Sequence, residues 1–277
     1  MRYGIHLPQF GRAGGPDSVR RAAVQAEELG YDDIWVSDHL AIPVDAPYPP
    51  TAYIHEPIVT LTWAAAATKT IGLGTSIMVL PMRHPLVLAK MLASLDLMSE
   101  GRLIVGAAAG WLEPEFEALG VPFRERGART DEAIRMMRAI WTEDPVRLDG
   151  EHIAARLDGM RTLPQPEREI PIWVGGNSDA ALDRAIALGD GWHGTRLAPE
   201  ELAPALTRLR DTRPEESFTL SLRAARDALA DDPDDIKREV AAFRDLGVQH
   251  LMFQPRQRLA EDWLRSAEAL LGLARAA

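Results

Sequence analysis

Residues 71–111 form the segment that most restricts how this chain can fold. Two apolar runs, 71–81 and 103–110, lie on either side of a helix-like stretch that starts near Pro85. Neither run alternates between apolar and polar residues, and strands without alternation are covered on both faces, as in parallel sheets. The segment therefore predicts a strand, a crossover helix and a second parallel strand.

The same order of strand and helix continues along the chain. Eight candidate strands, each followed by a helix-like segment, start near residues 3, 33, 71, 103, 170, 192, 218 and 248. This α/β pattern predicts one (β/α)8 TIM barrel domain over residues 1–277. Alternation around Asp149-Gly150, within residues 146–153, indicates a small hairpin inserted before the fifth strand. A doubly wound sheet is the alternative, but the glycines after the first strand lack the G-x-G-x-x-G spacing typical of that fold.

Composition excludes several classes of function. The net charge of −10 disfavours nucleic-acid binding, which depends on Lys and Arg side chains that neutralise phosphates. The chain has no cysteine, which excludes disulfides and thiolate metal sites and fits a cytoplasmic protein. No run reaches the ~18 apolar residues of a membrane span, and no leader peptide is recognisable. We therefore expect a cytoplasmic protein whose partner is a small molecule.

Polar residues at the carboxyl ends of the strands are the candidate site residues, because barrel enzymes carry their active sites there. Asp38 and His39 follow the second strand; the imidazole can exchange a proton with a substrate, or the two residues only cap the local backbone. The segment 175–178 (Gly-Gly-Asn-Ser) either binds an anion at a helix amino terminus or forms a simple tight turn. His6 and His193 are either pocket residues or buried, hydrogen-bonded side chains.

Metal and serine chemistry have little support in the sequence. The chain has no H-E-x-x-H motif, no closely paired histidines and no carboxylate cluster at neighbouring strand ends. It also lacks the G-x-S-x-G elbow of serine hydrolases. We therefore expect a site without a metal ion.

Several motifs together resemble the bacterial luciferase-like monooxygenase superfamily, and within it the coenzyme F420-dependent oxidoreductases. In chain order they are Trp35-Val36-Ser37-Asp38-His39, Leu73-Gly74-Thr75-Ser76-Ile77, His84-Pro85 with Ala89-Lys90, Ser99-Glu100-Gly101-Arg102, Gly110-Trp111 with Glu115-Phe116, and Ile172-Trp173-Val174-Gly175-Gly176. The resemblance implies a TIM barrel enzyme that moves a hydride between F420 and a small organic substrate. The near alternative is an FMN-dependent monooxygenase. More distant alternatives are a non-catalytic flavin or deazaflavin carrier and a barrel hydrolase or lyase.

The resemblance also implies roles for particular residues. The cofactor ring is expected in front of a non-prolyl cis peptide bond at Ser76–Ile77. His39 is the expected catalytic residue, near the reactive atom of the ring. The expected cofactor contacts are Asp38, Thr75, Ser76, Ile77, Ala109, Gly110, Gly175, Gly176 and Asn177. We expect the substrate pocket to include His6, Trp111 and His193.

One position departs from the family pattern. The sugar-phosphate dehydrogenases of the family carry a glutamate where this chain has Trp111, so the acid partner of the ring is missing. This disfavours sugar-phosphate oxidation and favours a more apolar substrate. An acidic segment follows Trp111, and the loop of residues 40–53, rich in proline and tyrosine, is expected to cover the pocket.

The helix between the third and fourth strands is apolar on most sides. Leu88, Leu92 and Leu95 form one stripe, and Met91, Leu95 and Met98 form another. A helix that is apolar on most sides is buried on most sides. We therefore expect it to pack on the barrel and on a second subunit in a homodimer.

Overall fold

Eight parallel strands close into a barrel in the computed structural model, which describes residues 1–277. The strands, including those of one inserted hairpin, are β1 (Arg2–His6), β2 (Asp33–Val36), β3 (Gly72–Thr75), β4 (Met78–Val79), β5 (Leu103–Ala108), β6 (Val146–Asp149), β7 (Arg156–Met160), β8 (Ile172–Gly175), β9 (Gly191–Thr195), β10 (Thr219–Arg226) and β11 (His250–Pro255). The ring runs β3-β2-β1-β11-β10-β9-β8-β5 and is closed by the pairing of β3 with β5. The predicted TIM barrel is confirmed.

The third strand of the barrel is interrupted. β3 ends at Thr75, β4 resumes at Met78, and both segments pair with β5. Ser76 and Ile77, which lie between them and are called the bulge below, are joined by a cis peptide bond, as predicted. The bulge therefore lies at the carboxyl end of the barrel.

Nine α-helices connect the strands: α1 (Pro16–Leu29), α2 (Pro57–Ala65), α3 (Pro85–Met98), α4 (Glu113–Ala118), α5 (Arg126–Thr142), α6 (Asp179–Leu188), α7 (Pro199–Thr212), α8 (Pro233–Asp245) and α9 (Ala260–Ala276). In α1 the buried residues recur at helical spacing: Val19, Ala22, Ala23 and Ala26. Gly30 ends this helix in the left-handed conformation, with φ of 83°. None of the helices combines the length and the apolar character needed to cross a membrane.

Two segments differ from the sequence-based predictions. The hairpin before the fifth barrel strand is confirmed, but its second strand is β7, paired antiparallel with β6, and not residues 150–153. The acidic segment after Trp111 contains the short helix α4, in which Glu115 and Phe116 are buried. A helix of six residues completes fewer than two turns, too few to produce a recognisable apolar period.

Aromatic side chains fill the interior of the barrel. Trp35, Trp173 and Met252 form a buried cluster, and the Trp35 ring stacks on His193 with centroids 5.1 Å apart. The tryptophan requires a glycine on β3, because a Cβ at Gly74 would lie 2.4 Å from its ring. The space between the barrel and the helices holds a separate, larger apolar core.

Candidate active site

Polar and aromatic side chains gather at the carboxyl ends of the barrel strands, which we call the mouth. It includes Ser37, Asp38 and His39 after β2, the bulge, Ala109, Gly110 and Trp111 after β5, Gly176 and Asn177 after β8, Arg196 after β9, and Arg223 in β10. This end of a TIM barrel carries the active site. No three His, Asp or Glu side chains are grouped closely enough to hold a metal ion.

His39 is paired with a buried glutamate of α4. Its Nδ1 lies 2.9 Å from Oε2 of Glu115, and the two side chains are only 12% and 3% exposed. Because a carboxylate only accepts hydrogen bonds, Nδ1 of His39 carries a proton and donates it. The other ring nitrogen, Nε2, makes no hydrogen bond within the chain. An oriented imidazole with one open nitrogen is suited to act as a general base.

Glu115 also fixes the loop that follows β2. Its Oε1 accepts the backbone N–H groups of Leu40 at 2.6 Å and Ala41 at 3.1 Å. Burial alone would raise the pKa of Glu115, but the hydrogen bonds from His39, Leu40 and Ala41 outweigh burial and hold this pKa below its usual value. Glu115 therefore places an ionised carboxylate beside the imidazole at neutral pH.

Glu115 belongs to a motif shared with the family, but the sequence gives it no predicted role. Seventy-six positions separate it from His39, and it lies among acidic residues that are usually exposed. The available signal was its neighbour Phe116, a large apolar residue that is 1% exposed and draws α4 onto the barrel. His39 thus has a carboxylate partner, Glu115, four positions after Trp111.

Trp111 and Tyr48 form an aromatic wall beside His39. Trp111 is 54% exposed, and its ring lies edge-on to His39 at a centroid distance of 5.9 Å and 6.1 Å from Tyr48. Nη2 of Arg196 donates to the Tyr48 hydroxyl at 3.0 Å. Tyr48 belongs to the loop of residues 40–53, so this loop reaches from β2 to residues that follow β5 and β9, as expected of a pocket cover.

Asp38 is buried next to the bulge. Nη1 and Nη2 of Arg83 donate to its carboxylate at 2.5 and 2.9 Å, and the N–H of Val79 donates at 2.9 Å. Burial raises the pKa of Asp38, and the Arg83 charge opposes this. Arg83 also pairs with Glu56 at 2.9 Å, so its charge is already balanced. The Asp38 side chain, predicted to contact the cofactor ring, thus lies behind the surface of the mouth.

The bulge is supported by its neighbours. A Cβ at Gly175 would lie 1.7 Å from Cδ1 of Ile77, so this glycine makes room for the Ile77 side chain. The Thr75 hydroxyl donates to the carbonyl of Gly106 at 2.8 Å. The small size of Gly175 thus fits the Ile77 side chain, and the hydrogen bond of Thr75 ties the end of β3 to β5.

Gly176 and Asn177 shape the turn into α6. Gly176 has φ of 118°, a conformation that residues with side chains rarely adopt. Nδ2 of Asn177 donates to the carbonyl of Thr195 at 2.8 Å, and its Oδ1 accepts from the N–H of Thr195 at 3.1 Å. Ser178 caps the helix by accepting from the N–H of Ala181 at 3.3 Å. Both side chains stabilise the turn, and the amino terminus of α6 lies at the mouth.

His6 is buried in the wall behind the mouth. Its Nδ1 lies 2.7 Å from the carbonyl of Leu7, which can only accept, and its Nε2 lies 2.8 Å from the Ser37 hydroxyl. Burial, followed by the charge on Arg223, lowers the pKa of His6 well below its ordinary value. His6 is therefore neutral, with its proton on Nδ1.

His193 is also fully buried. Its Nε2 lies 2.9 Å from the Ser76 hydroxyl and its Nδ1 lies 2.7 Å from the Ser221 hydroxyl. Burial, followed by the neighbouring His250 and the charge on Arg223, lowers the pKa of His193 well below its ordinary value. The two histidines predicted to line the substrate pocket thus use both ring nitrogens inside the barrel.

Two arginines at the mouth have no carboxylate partner. Arg223 donates from Nη1 to the carbonyl of Ser76 at 2.6 Å and from Nε to Gln254 at 3.0 Å, while its Nη2 makes no hydrogen bond. Burial lowers the pKa of Arg223 to about 10. Tyr48 acts to raise this pKa, and the charge on Arg196 acts to lower it. Arg196 has a left-handed φ of 54° and donates only to Tyr48. Both guanidinium groups are available to an anionic ligand.

Comparison with known sequences identifies a family. The profile of the luciferase-like monooxygenases matches residues 1–274. An F420-dependent glucose-6-phosphate dehydrogenase of Kineococcus radiotolerans is 35% identical over 204 residues, which are 69% of this chain and 57% of that protein. One of Gordonia bronchialis is 29% identical over 305 residues, covering 86% of this chain and 87% of that protein. The chain thus spans less than two thirds of the length of the first of these relatives.

Solved structures share the fold. An F420-dependent secondary alcohol dehydrogenase in complex with an F420–acetone adduct superposes with a TM-score of 0.82 at 20% identity, covering 99% of each chain. Monooxygenase RslO1 from Streptomyces bottropensis gives 0.79 at 24% identity, covering 98% of this chain and 99% of that one. At such identities the likeness shows the fold alone. The profile match over residues 1–274 shows more: the chain belongs to the luciferase-like monooxygenase family.

Proposed function

We propose that this chain is an oxidoreductase that transfers a hydride between coenzyme F420 and a small organic substrate at the mouth of the barrel. The observation that carries the proposal is the pairing of His39 with buried Glu115 beside the exposed ring of Trp111. Removing a hydride from an alcohol also requires removal of the hydroxyl proton, and this pair supplies the base. The F420-dependent relatives support the choice of cofactor.

The residues of the mouth fit a flat ring with an anionic tail. Ala109 and Gly110 have little or no side chain and are partly exposed beside the bulge. Arg196 and Arg223 supply positive charge, and the amino terminus of α6 adds the positive end of a helix dipole. In this proposal Ser76, Ile77, Ala109 and Gly110, together with Arg223, would hold the ring. Gly176 and Asn177 with Arg196 would hold the tail, and Asp38, Thr75 and Gly175 support the bulge from behind.

The protein's own residues move the proton. When bound, F420 supplies the carbon that accepts or donates the hydride. In alcohol oxidation, Nε2 of His39 takes the proton of the substrate hydroxyl, and the ionised Glu115 stabilises the resulting imidazolium. In carbonyl reduction, the same nitrogen returns the proton to the alkoxide oxygen. Trp111 and Tyr48 exclude water from this side of the mouth.

Small alcohols or ketones suit this pocket better than sugar phosphates. Trp111 and Tyr48 offer aromatic faces to the substrate, and a sugar would leave most of its hydroxyl groups unpaired against them. The carboxylate that His39 contacts, that of Glu115, is already used by three donors. The proposed substrate is therefore a compact alcohol or carbonyl compound with an apolar body.

Titration with F420 and with FMN, followed by ligand fluorescence, tests the proposal. We expect saturable binding of F420 and none of FMN. Binding of FMN alone would point to the flavin monooxygenase alternative, and binding of neither would remove the redox assignment. Turnover of bound F420 with a panel of small alcohols and ketones then separates an enzyme from a carrier.

We further propose that the protein is a homodimer that associates through α2 and α3. The buried side of α3 holds Leu88, Leu92 and Leu95, while Val87 and Met98 remain 57% and 82% exposed. Val59 and Trp63 of neighbouring α2 extend this apolar surface and are 65% and 50% exposed. Large apolar side chains exposed on two neighbouring helices favour association. Sedimentation should give a dimer for the unmodified chain and a monomer for Met98→Glu; a monomeric unmodified chain at micromolar concentration would contradict this.

A further inference from the structure

A continuous chain of hydrogen bonds crosses the interior of the barrel. Oδ1 of Asp33 lies 2.8 Å from Nε2 of His250, and Nδ1 of His250 lies 2.7 Å from the Ser221 hydroxyl. The Ser221 hydroxyl lies 2.7 Å from Nδ1 of His193, whose Nε2 lies 2.9 Å from the Ser76 hydroxyl. These five residues, called the interior chain, are each at most 2% exposed.

The register of the barrel produces this arrangement. Ser221 of β10 is paired directly with His193 of β9 and with His250 of β11, so the three side chains share one level and one face. Asp33 is the first residue of β2, and Ser76 follows the last residue of β3. The interior chain therefore connects the amino-terminal end of the barrel with the bulge at the mouth.

The chemistry of the two ends is fixed. Burial alone would raise the pKa of Asp33, but His250, Trp35 and Arg2 outweigh burial and hold this pKa below its usual value, so the carboxylate is ionised and only accepts. At the mouth, Nη1 of Arg223 lies 3.2 Å from the Ser76 hydroxyl oxygen and can only donate. Asp33, at one end of the interior chain, therefore only accepts hydrogen bonds, and Ser76, at the other end, accepts a hydrogen bond from Arg223.

Only one direction of donation satisfies every group in between. The Ser76 hydroxyl has two partners: Nη1 of Arg223, which donates to its oxygen, and Nε2 of His193, which is the one acceptor within the chain for its proton. His193 then donates from Nδ1 to Ser221, Ser221 donates to Nδ1 of His250, and His250 donates from Nε2 to Asp33. If His250 were doubly protonated, this direction would reverse and the Ser76 proton would have no acceptor. A neutral interior chain leaves no group unpaired.

We propose that Asp33 and His250 are positioning residues for the mouth, because through Ser221 and His193 they fix the direction in which the Ser76 hydroxyl donates. The Ser76 proton then points into the barrel, and its oxygen accepts from Arg223. The hydrogen-bond donor available to a ligand beside the bulge is therefore the free Nη2 of Arg223, and not the hydroxyl proton of Ser76. This group is suited to a carbonyl or anionic oxygen of a bound ring. Only this last step depends on the proposed function.

Nitrogen NMR of the ligand-free protein, labelled with ¹⁵N in histidine, tests the proposal directly at neutral pH. We expect His193 to carry its proton on Nδ1 and His250 on Nε2. In Ser221→Ala, His193 loses its acceptor, and we expect its proton to move to Nε2. In Ser76→Ala, His193 should keep its proton on Nδ1, because the Asp33 end determines the direction.

Ser266→Ala is the matched control. Ser266 is also fully buried, but its hydroxyl has no partner, so its removal should leave the His193 signals unchanged. A proton on Nε2 of His193 in the unmodified protein, or unchanged His193 signals in Ser221→Ala, would overturn the proposal. We also expect Ser221→Ala to weaken F420 binding by about threefold to tenfold relative to Ser266→Ala, the range of one neutral hydrogen bond. If the unmodified protein binds no F420, the proposed function fails, while the tautomer test still decides the positioning role.

Discussion

Replacing Glu115 with glutamine tests the pair with His39 at nearly constant shape. The glutamate uses one oxygen for His39 and the other for the N–H groups of Leu40 and Ala41. Glutamine has one acceptor oxygen, so its NH2 group must face either the histidine or the backbone donors. At least one bond to a charged group is lost, worth about 1.5–3 kcal/mol. If that loss falls on the imidazolium formed during the reaction, the rate decreases by about tenfold to a hundredfold.

The assay is steady-state oxidation of a substrate found in the panel, with kcat and KM measured separately. We expect kcat to fall and KM to change little, because the carboxylate stabilises the charged imidazole and does not touch the substrate. Glu117→Gln, an exposed position on the same helix, is the control and should retain full activity. If Glu115→Gln folds normally and matches the control in kcat, the reasoning about the His39 pair is refuted.

Three further changes follow from the same structure. His39→Asn should lower kcat by about a hundredfold to ten-thousandfold, the contribution of a general base, with F420 affinity retained; comparable losses in affinity would indicate a binding role instead. Arg196→Gln should weaken F420 binding by about tenfold, whereas Arg135→Gln on the outer face of α5 should not; equal affinities for both variants would remove Arg196 from the cofactor site. Burial alone would raise the pKa of Glu27. The hydrogen bonds from Thr70, Ile71 and Lys69 outweigh burial and lower this pKa from 4.5 to about 2. Its stabilising effect should therefore be complete above pH 4.5 and be lost as the pH falls towards 2, so acid unfolding of Glu27→Gln should lack this component; identical acid profiles would contradict the assignment.

The barrel could be predicted from the sequence because its strands are buried on both faces. The apolar runs before the bulge and before Gly110 show this directly, and their separation by a helix requires a parallel crossover. The cis bond at Ser76–Ile77 was predicted from the family resemblance, since no local pattern of residues indicates it. The first strand of the hairpin was predicted where it lies, but its second strand was predicted too early, because the Asp149-Gly150 pair suggested a tight turn, whereas the strand pairing resumes only at Arg156.

The partners of the site residues could not be predicted in the same way. His39 and Glu115 are brought together by two strand ends that are far apart in the chain, and a one-dimensional pattern does not encode such distances. The same limit applies to Asp38 and Arg83, which become an ion pair only when β4 follows the bulge. The close approach of Gly175 to Ile77 could not be predicted either, because it is visible only in three dimensions.

His6 and His193 illustrate a further limit. His6 ends β1 and His193 lies in the middle of β9, and their positions in the sequence are compatible with a pocket and with the barrel interior. Both rings can be buried because their nitrogens form hydrogen bonds with the hydroxyl groups of Ser37, Ser76 and Ser221. A serine in or just after a strand gives no signal of this role, because serine is also frequent in turns and caps.

The most direct test of the central claim is to follow a deuterium label from reduced F420 into a small ketone. The label is placed on the carbon of the cofactor that donates the hydride, and the alcohol formed is analysed by mass spectrometry. We predict that each molecule of alcohol carries one deuterium on the former carbonyl carbon and that His39→Asn slows its formation without changing where the label goes. Loss of the label to water, or oxygen consumption with reduced FMN and no labelled alcohol, would contradict direct hydride transfer by this protein.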